Sequence, residues 1–138
     1  SLIHNHMDME IIFFIGRLLF GGFFLMSGIN HFKNHQMLSG YAGSKGLPSP
    51  LLAVYGSGLL ILLGGLGVIL GIYPTISLWL IVIFLLPVTF AMHNFWKDTD
   101  PNMKMNNEIN FKKNMALLGA ALMAIYLSQM IPWTSVLF

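Results

Sequence analysis

The sequence predicts an all-α integral membrane protein, a single domain over residues 1–138 built as a bundle of four transmembrane helices. Three observations carry this. Four apolar runs, at about residues 10–32, 50–72, 74–95 and 108–131, fill most of the chain. Each has about the 20 residues a helix needs to cross ~30 Å of hydrocarbon at 1.5 Å per residue. Charge is scarce, with 9% of the 138 residues charged and 56% apolar, where a soluble domain carries about 25% charged residues. The segments between the runs are short, which leaves no room for a soluble catalytic domain.

The first predicted helix, residues 10–32, is rich in Phe, Leu and Ile and carries Gly16, Gly21, Gly22 and Gly28. Ahead of it, His4 and His6 sit in a tail expected to be disordered, with Met7 and Met9 as candidate starts of the natural chain. No small-residue cleavage site follows the run, so it reads as a retained helix and not a signal peptide. The second helix opens at Pro48-Ser49-Pro50, since Pro in a first turn gives up no needed N–H. Its glycines, Gly56, Gly58, Gly64, Gly65, Gly67 and Gly71, suit the close backbone approach by which membrane helices pack. Pro74 opens the third helix after a tight Gly71-Ile72-Tyr73 connection, and Pro87 inside it is expected to kink it and free a carbonyl. Residues 97–107 are polar and turn-rich and read as a loop. The fourth helix follows to about residue 131, before Pro132.

The chain has no cysteine. Thiol–disulfide exchange, thiolate-ligated iron–sulfur clusters and covalent c-type haem are therefore excluded. A pI near 9.1 would suggest nucleic acid in a soluble protein, but the net charge is only +2, and the lysines flank the apolar runs. No nucleic-acid partner is expected. Lys33, Lys45, Lys97, Lys104, Lys112 and Lys113 all fall in or beside the first and third connections. The positive-inside rule then places both termini on the non-cytoplasmic side of the cell membrane.

With so little polarity, each intramembrane polar group demands a reason. Arg17 is the only arginine, about two turns into the first predicted helix. A central Arg costs at least ~2.5 kcal/mol on insertion scales, so it should snorkel, bridge helices or anchor a carbonyl-bearing or anionic ligand such as a quinone. Glu10, Ser77, Tyr126, Ser128 and Gln129 are candidate partners by topology. At the other membrane face, Ser27, Asn30, His31 and His35 end the first helix. Thr89, His93 and Asn94 end the third, and Glu108, Asn110, Lys113 and Asn114 open the fourth. Topology gathers these into one polar pocket at the bilayer edge. His31 and His35, spaced i, i+4, could share a metal with His93 and Glu108. Helix ends commonly carry His, whose charged form suits the C-terminal dipole, so no metal site and no intrinsic cofactor is assigned. The 10 methionines are scattered as apolar filler. No nucleophile–base pair or glycine-rich phosphate loop stands out.

Two blocks carry a family likeness. Residues 16–32, Gly-Arg-Leu-Leu-Phe-Gly-Gly-Phe-Phe-Leu-Met-Ser-Gly-Ile-Asn-His-Phe, resemble the first helix of the DoxX family, with its early Arg, a Gly one turn on and a small-Gly pair before a polar end. His93-Asn94-Phe95-Trp96, then a short acidic loop and residues 110–119, resemble the end of its third helix and the start of its fourth. The resemblance implies a small four-helix membrane protein. It also implies association with membrane oxidoreductase assemblies, the family taking its name from subunits linked to a thiosulfate:quinone oxidoreductase. It assigns no catalytic role, and points to Arg17, Asn30, His93, Asn94, Lys113 and Asn114.

Three functions are consistent with these features. The first is a small subunit of a membrane-bound oxidoreductase with partner subunits and a quinone. The second is a carrier for a lipid or small apolar molecule, and the third a packing subunit of a larger membrane complex. The candidate ligand-binding set is Arg17, Asn30, His31, His93, Asn94, Glu108, Lys113 and Asn114.

Overall fold

The computed structural model describes residues 2–133. These form five α-helices, α1 (Leu2–Lys33), α2 (His35–Ser44), α3 (Pro50–Leu70), α4 (Pro74–Met92) and α5 (Pro101–Met130), with a 3-10 turn at Phe95–Lys97. The expected four helices are therefore five. The extra one, α2, lies in the 32–49 segment read as a connection. Three helices, α1, α3 and the span from Pro74 to Lys97, are long and apolar enough to cross a membrane. α5 is not among them, because Lys104, Glu108, Lys112 and Lys113 occupy its first half.

Prolines set the middle boundaries as expected. Pro50 and Pro74 open α3 and α4, each behind a left-handed residue, Ser49 at φ 48° and Tyr73 at φ 44°. Two other starts differ from expectation. α1 begins at Leu2, so the segment with His4 and His6 is helical, with exposed i, i+4 pairs His4–Asp8 and His6–Glu10. At 32 residues, α1 is about 48 Å long, so it overshoots the ~30 Å apolar layer. α5 begins at Pro101, not residue 108. Asp100 is its N-cap, accepting from the Met103 N–H at 3.3 Å, and Pro101 takes N1.

α1 and α3 pack antiparallel through paired glycines. A Cβ on Gly21 would lie 2.7 Å from the Gly65 carbonyl oxygen, and one on Gly28 would lie 2.9 Å from that of Gly58. Both pairs recur after about two turns, so one seam runs the length of the interface. Gly16, Gly22 and Gly56, by contrast, face open space. α3 packs on α4, and α4 on α5. α5 runs antiparallel to α4 along its length. Asn107 meets His93 at the end of α4, while Gln129 donates to Thr75 at its start, 2.9 Å away, and Thr75 also bonds Ser128 at 2.7 Å. Phe24, Ile61, Val68, Leu78, Ile81, Leu85 and Ala121 are buried between these helices.

The outer face is apolar. Leu19, Leu52, Ile76 and Met123 are each at least 60% exposed. Large apolar side chains spread around every long helix suit acyl chains, not water.

Candidate functional site

Arg17 is buried, 6% exposed, and lies away from the other candidate residues. Its Nε donates to the Val68 carbonyl and its Nη2 to the Ile69 carbonyl, both at 2.9 Å. Helices leave their last four carbonyls without intrahelical partners. In α3 the Gly67 carbonyl is taken by the N–H of Gly71, at φ 72°, and of Ile72. Arg17 serves the next two. Its guanidinium also sits 5.5–5.7 Å from the ring centroids of Phe13, Phe14 and Trp133. A delocalised cation held by a helix C-terminus and aromatic faces is stabilised where a bare charge would not be.

The polar residues at the opposite end form a network. Lys45, capping α2, donates to Asn94 Oδ1 at 2.6 Å and lies 3.8 Å from Asp98 Oδ1. Asp98 Oδ2 accepts from Asn107 Nδ2 at 2.8 Å. Asn107 Oδ1 faces the Tyr41 hydroxyl at 3.4 Å and His93 Nδ1 at 3.3 Å, and Tyr41 donates to the Met92 carbonyl at 2.9 Å. These bonds tie α2, the end of α4 and the start of α5 into one unit. They also bring the α1–α3 and α4–α5 connections to the same end of the bundle.

Beside this network lies a cavity of about 510 Å³, lined by residues of every helix. Its walls are chiefly apolar, from Phe24, Val54, Phe84 and Val88 among others. The polar groups on it include Ser27, His31, His93, Lys113 and Asn114. α2 covers one side with Leu38, Tyr41 and Ala42.

Asn114 is 6% exposed, yet its amide makes no hydrogen bond among the described residues. Buried amides are normally satisfied. This one lines the cavity with its donor and acceptor available.

Two histidines on the cavity have defined tautomers. His31 Nδ1 lies 2.7 Å from the Ser27 carbonyl, which can only accept, so Nδ1 carries the proton. The Asp98 carboxylate orients the Asn107 amide so that its Oδ1 faces His93, and His93 Nδ1 is again the donor. Each neutral ring is left with Nε2 as an acceptor.

The remaining candidates are scattered. Asn30 is exposed and bonds Asn34. Asn94 holds Lys45, and Glu108 pairs with Lys112 at 3.3 Å. Lys113 is exposed, donates to Asn110 at 3.2 Å and stands 5.3 Å from the Phe23 ring centroid. The shared face expected of His31 and His35 is interrupted, because α1 ends at Lys33 and α2 starts at His35. His35 instead stacks at a tilt against Tyr55, 5.4 Å away. No group of three or more metal-ligating side chains occurs among the described residues. Tyr41, Lys45, Asp98 and Asn107 join the site without having stood out in the sequence.

No curated protein and no solved structure matches the chain. The family model described as DoxX matches residues 12–94, which takes in the Arg17–Phe32 block and ends at the His93-Asn94 pair. That match covers more than half of the chain, which therefore belongs to the DoxX family and is an integral membrane protein.

Proposed function

We propose that this chain binds a quinone-class molecule, with an apolar body and a small polar ring, in the cavity between its helices, and serves there as a small subunit of a membrane-bound oxidoreductase. The observation that supports this best is Asn114. Asn114, a residue 6% exposed, lines a 510 Å³ apolar cavity with an amide that makes no hydrogen bond among the described residues. Small-molecule sites of this size, with apolar walls and a few convergent polar groups, are the usual form of a ligand pocket. The cysteine-free chain carries no thiol chemistry, so the electron path is assigned to partner subunits.

The reading includes an orientation. α5 travels the same depth as α4, and its apolar second half serves as the fourth crossing. Lys45 bonded to Asn94 puts both lysine-bearing connections at one end, which the positive-inside rule assigns to the cytoplasm. Both termini then lie on the other side.

A second reading, a carrier for a lipid or small apolar molecule, draws on the same apolar walls. Native mass spectrometry of the protein extracted gently from its own membranes separates the two. Co-migrating subunits and a retained quinone are expected. A lone chain or homo-oligomer carrying phospholipid would favour the carrier, and a chain with neither would overturn both.

A further inference from the structure

We infer that the cavity discriminates between the two redox forms of its ligand and holds the hydroquinone in preference to the quinone. The inference rests on the quinone-class reading above and adds a direction to it. It follows from which cavity groups can give a proton and which can only receive one.

His31 and His93 are fixed as acceptors. Each Nδ1–H is committed, one to the Ser27 carbonyl at 2.7 Å and the other to Asn107 Oδ1 at 3.3 Å. Each Nε2 therefore presents a lone pair. Asn114 can donate and accept, and so can the Ser27 hydroxyl, which makes no hydrogen bond among the described residues. Lys113 can only donate, but it is exposed and already holds Asn110.

A quinone carbonyl accepts and never donates. It can accept from the Asn114 N–H but has no proton to give to the lone pair of either cavity-lining imidazole. A hydroquinone hydroxyl donates its proton to an imidazole and still accepts from an amide. The reduced ring can therefore satisfy the Asn114 N–H and both histidines, and the oxidised ring only the donors, Asn114 and Ser27. An apolar cavity magnifies the difference, because a buried acceptor left unpaired costs its full desolvation. A site built to take a hydroxyl discriminates strongly against an analogue that lacks it.

The linkage has a readable consequence. Tighter binding of the reduced form raises the midpoint potential of the bound couple. For a two-electron couple, each tenfold preference is worth about 30 mV.

The test is the affinity of the purified full chain in detergent for decylubiquinone and, under anaerobic reducing conditions, for decylubiquinol. Both affinities are measured in one buffer at one pH. The expected result is reduced-form binding tighter by about tenfold or more. In H31L and H93L the ratio of reduced-form to oxidised-form affinity should shrink towards one. Equal affinities, or tighter binding of the oxidised form, would overturn this inference and leave the quinone-class reading standing. Binding of neither form would overturn both. If a leucine variant fails to fold, the comparison on the unaltered chain decides alone.

Discussion

Asn107 and Asp98 are joined at 2.8 Å, from the amide Nδ2 to the carboxylate Oδ2, and this one bond sets the proton on His93. A carboxylate accepts only, so it turns the Asn107 oxygen toward the imidazole. Removing the amide should release the tautomer. Asn107→Leu is expected to give mixed His93 tautomers, read from ¹⁵N chemical shifts, where the parent chain shows Nδ1–H alone. Asn107 is 3% exposed, and its loss takes one partner each from Asp98 and Tyr41, which keep Lys45 and the Met92 carbonyl, so stability should also fall, by about 1 kcal/mol. A pure Nδ1–H signal surviving in the variant would show that another group holds the ring.

Arg17 satisfies two carbonyls at the end of α3, so it should behave as a structural clamp. Arg17→Met is expected to cost about 1.5–3 kcal/mol, the worth of hydrogen bonds to a charged group. Arg17→Lys should recover part of this, since an ammonium keeps the charge but loses the fork that reaches both oxygens. Thermal unfolding in detergent measures the loss, and ligand affinity should be unchanged at temperatures where the variants stay folded. Lost ligand with unaltered stability would instead make Arg17 the anchor that its sequence position also allows.

The sequence carried the fold further than the site, for a physical reason. Apolar length and the Pro50 and Pro74 starts are local signals, and they located α3 and α4 within a few residues. α2 has ten residues, and its apolar stripe, Leu38, Tyr41 and Ala42, spans little more than one turn, too short to tell a helix from a connection by pattern alone. The start of α5 was legible in principle, since Asp100-Pro101 is an N-cap followed by N1, but the polar residues around it read as a loop. The polar pocket follows from connectivity, and His31, His93, Lys113 and Asn114 do line one cavity. Lys45, Asp98 and Asn107 could not be paired without coordinates, because their bonds cross between connections. Nor could the Arg17 partners, because backbone carbonyls leave no mark in a sequence.

The glycine seam predicts a sharp contrast between neighbours. Gly21→Val would drive its side chain into the Gly65 carbonyl, since even a Cβ would lie 2.7 Å from that oxygen. Separating α1 from α3 should cost about 1–3 kcal/mol or more, as overpacking does. Gly22→Ala meets nothing within 4 Å and should be neutral or stabilising by up to about 1 kcal/mol. Equal losses in the two variants would place the α1–α3 interface on another face.

The proposed orientation is open to labelling, because a chain without cysteine gives no background. Single cysteines at Ser44 and Lys104 should resist a membrane-impermeant maleimide added outside intact cells. Cysteines at Tyr73 and Gln129 should react. Gln129 bonds Thr75 at the start of α4, so its reaction alongside Tyr73 would place α5 across the membrane. Reaction at Lys104 and Gln129 together would keep α5 on the outer surface.

Asn114 separates a binding protein from a packing subunit. The residue is 6% exposed and its amide makes no hydrogen bond among the described residues, so the side chain holds no helices together and is available to a ligand. Asn114→Leu replaces the amide with an apolar group of similar size. The protein freed of ligand should therefore unfold at the same temperature or higher, since no hydrogen bond within the described residues is lost. Quinone-class affinity should fall by about tenfold, one hydrogen bond's worth. Opposite signs in stability and affinity are what a site kept for a ligand requires. A variant that loses stability and leaves affinity untouched would mean that Asn114 holds helices together and the cavity is only a packing void.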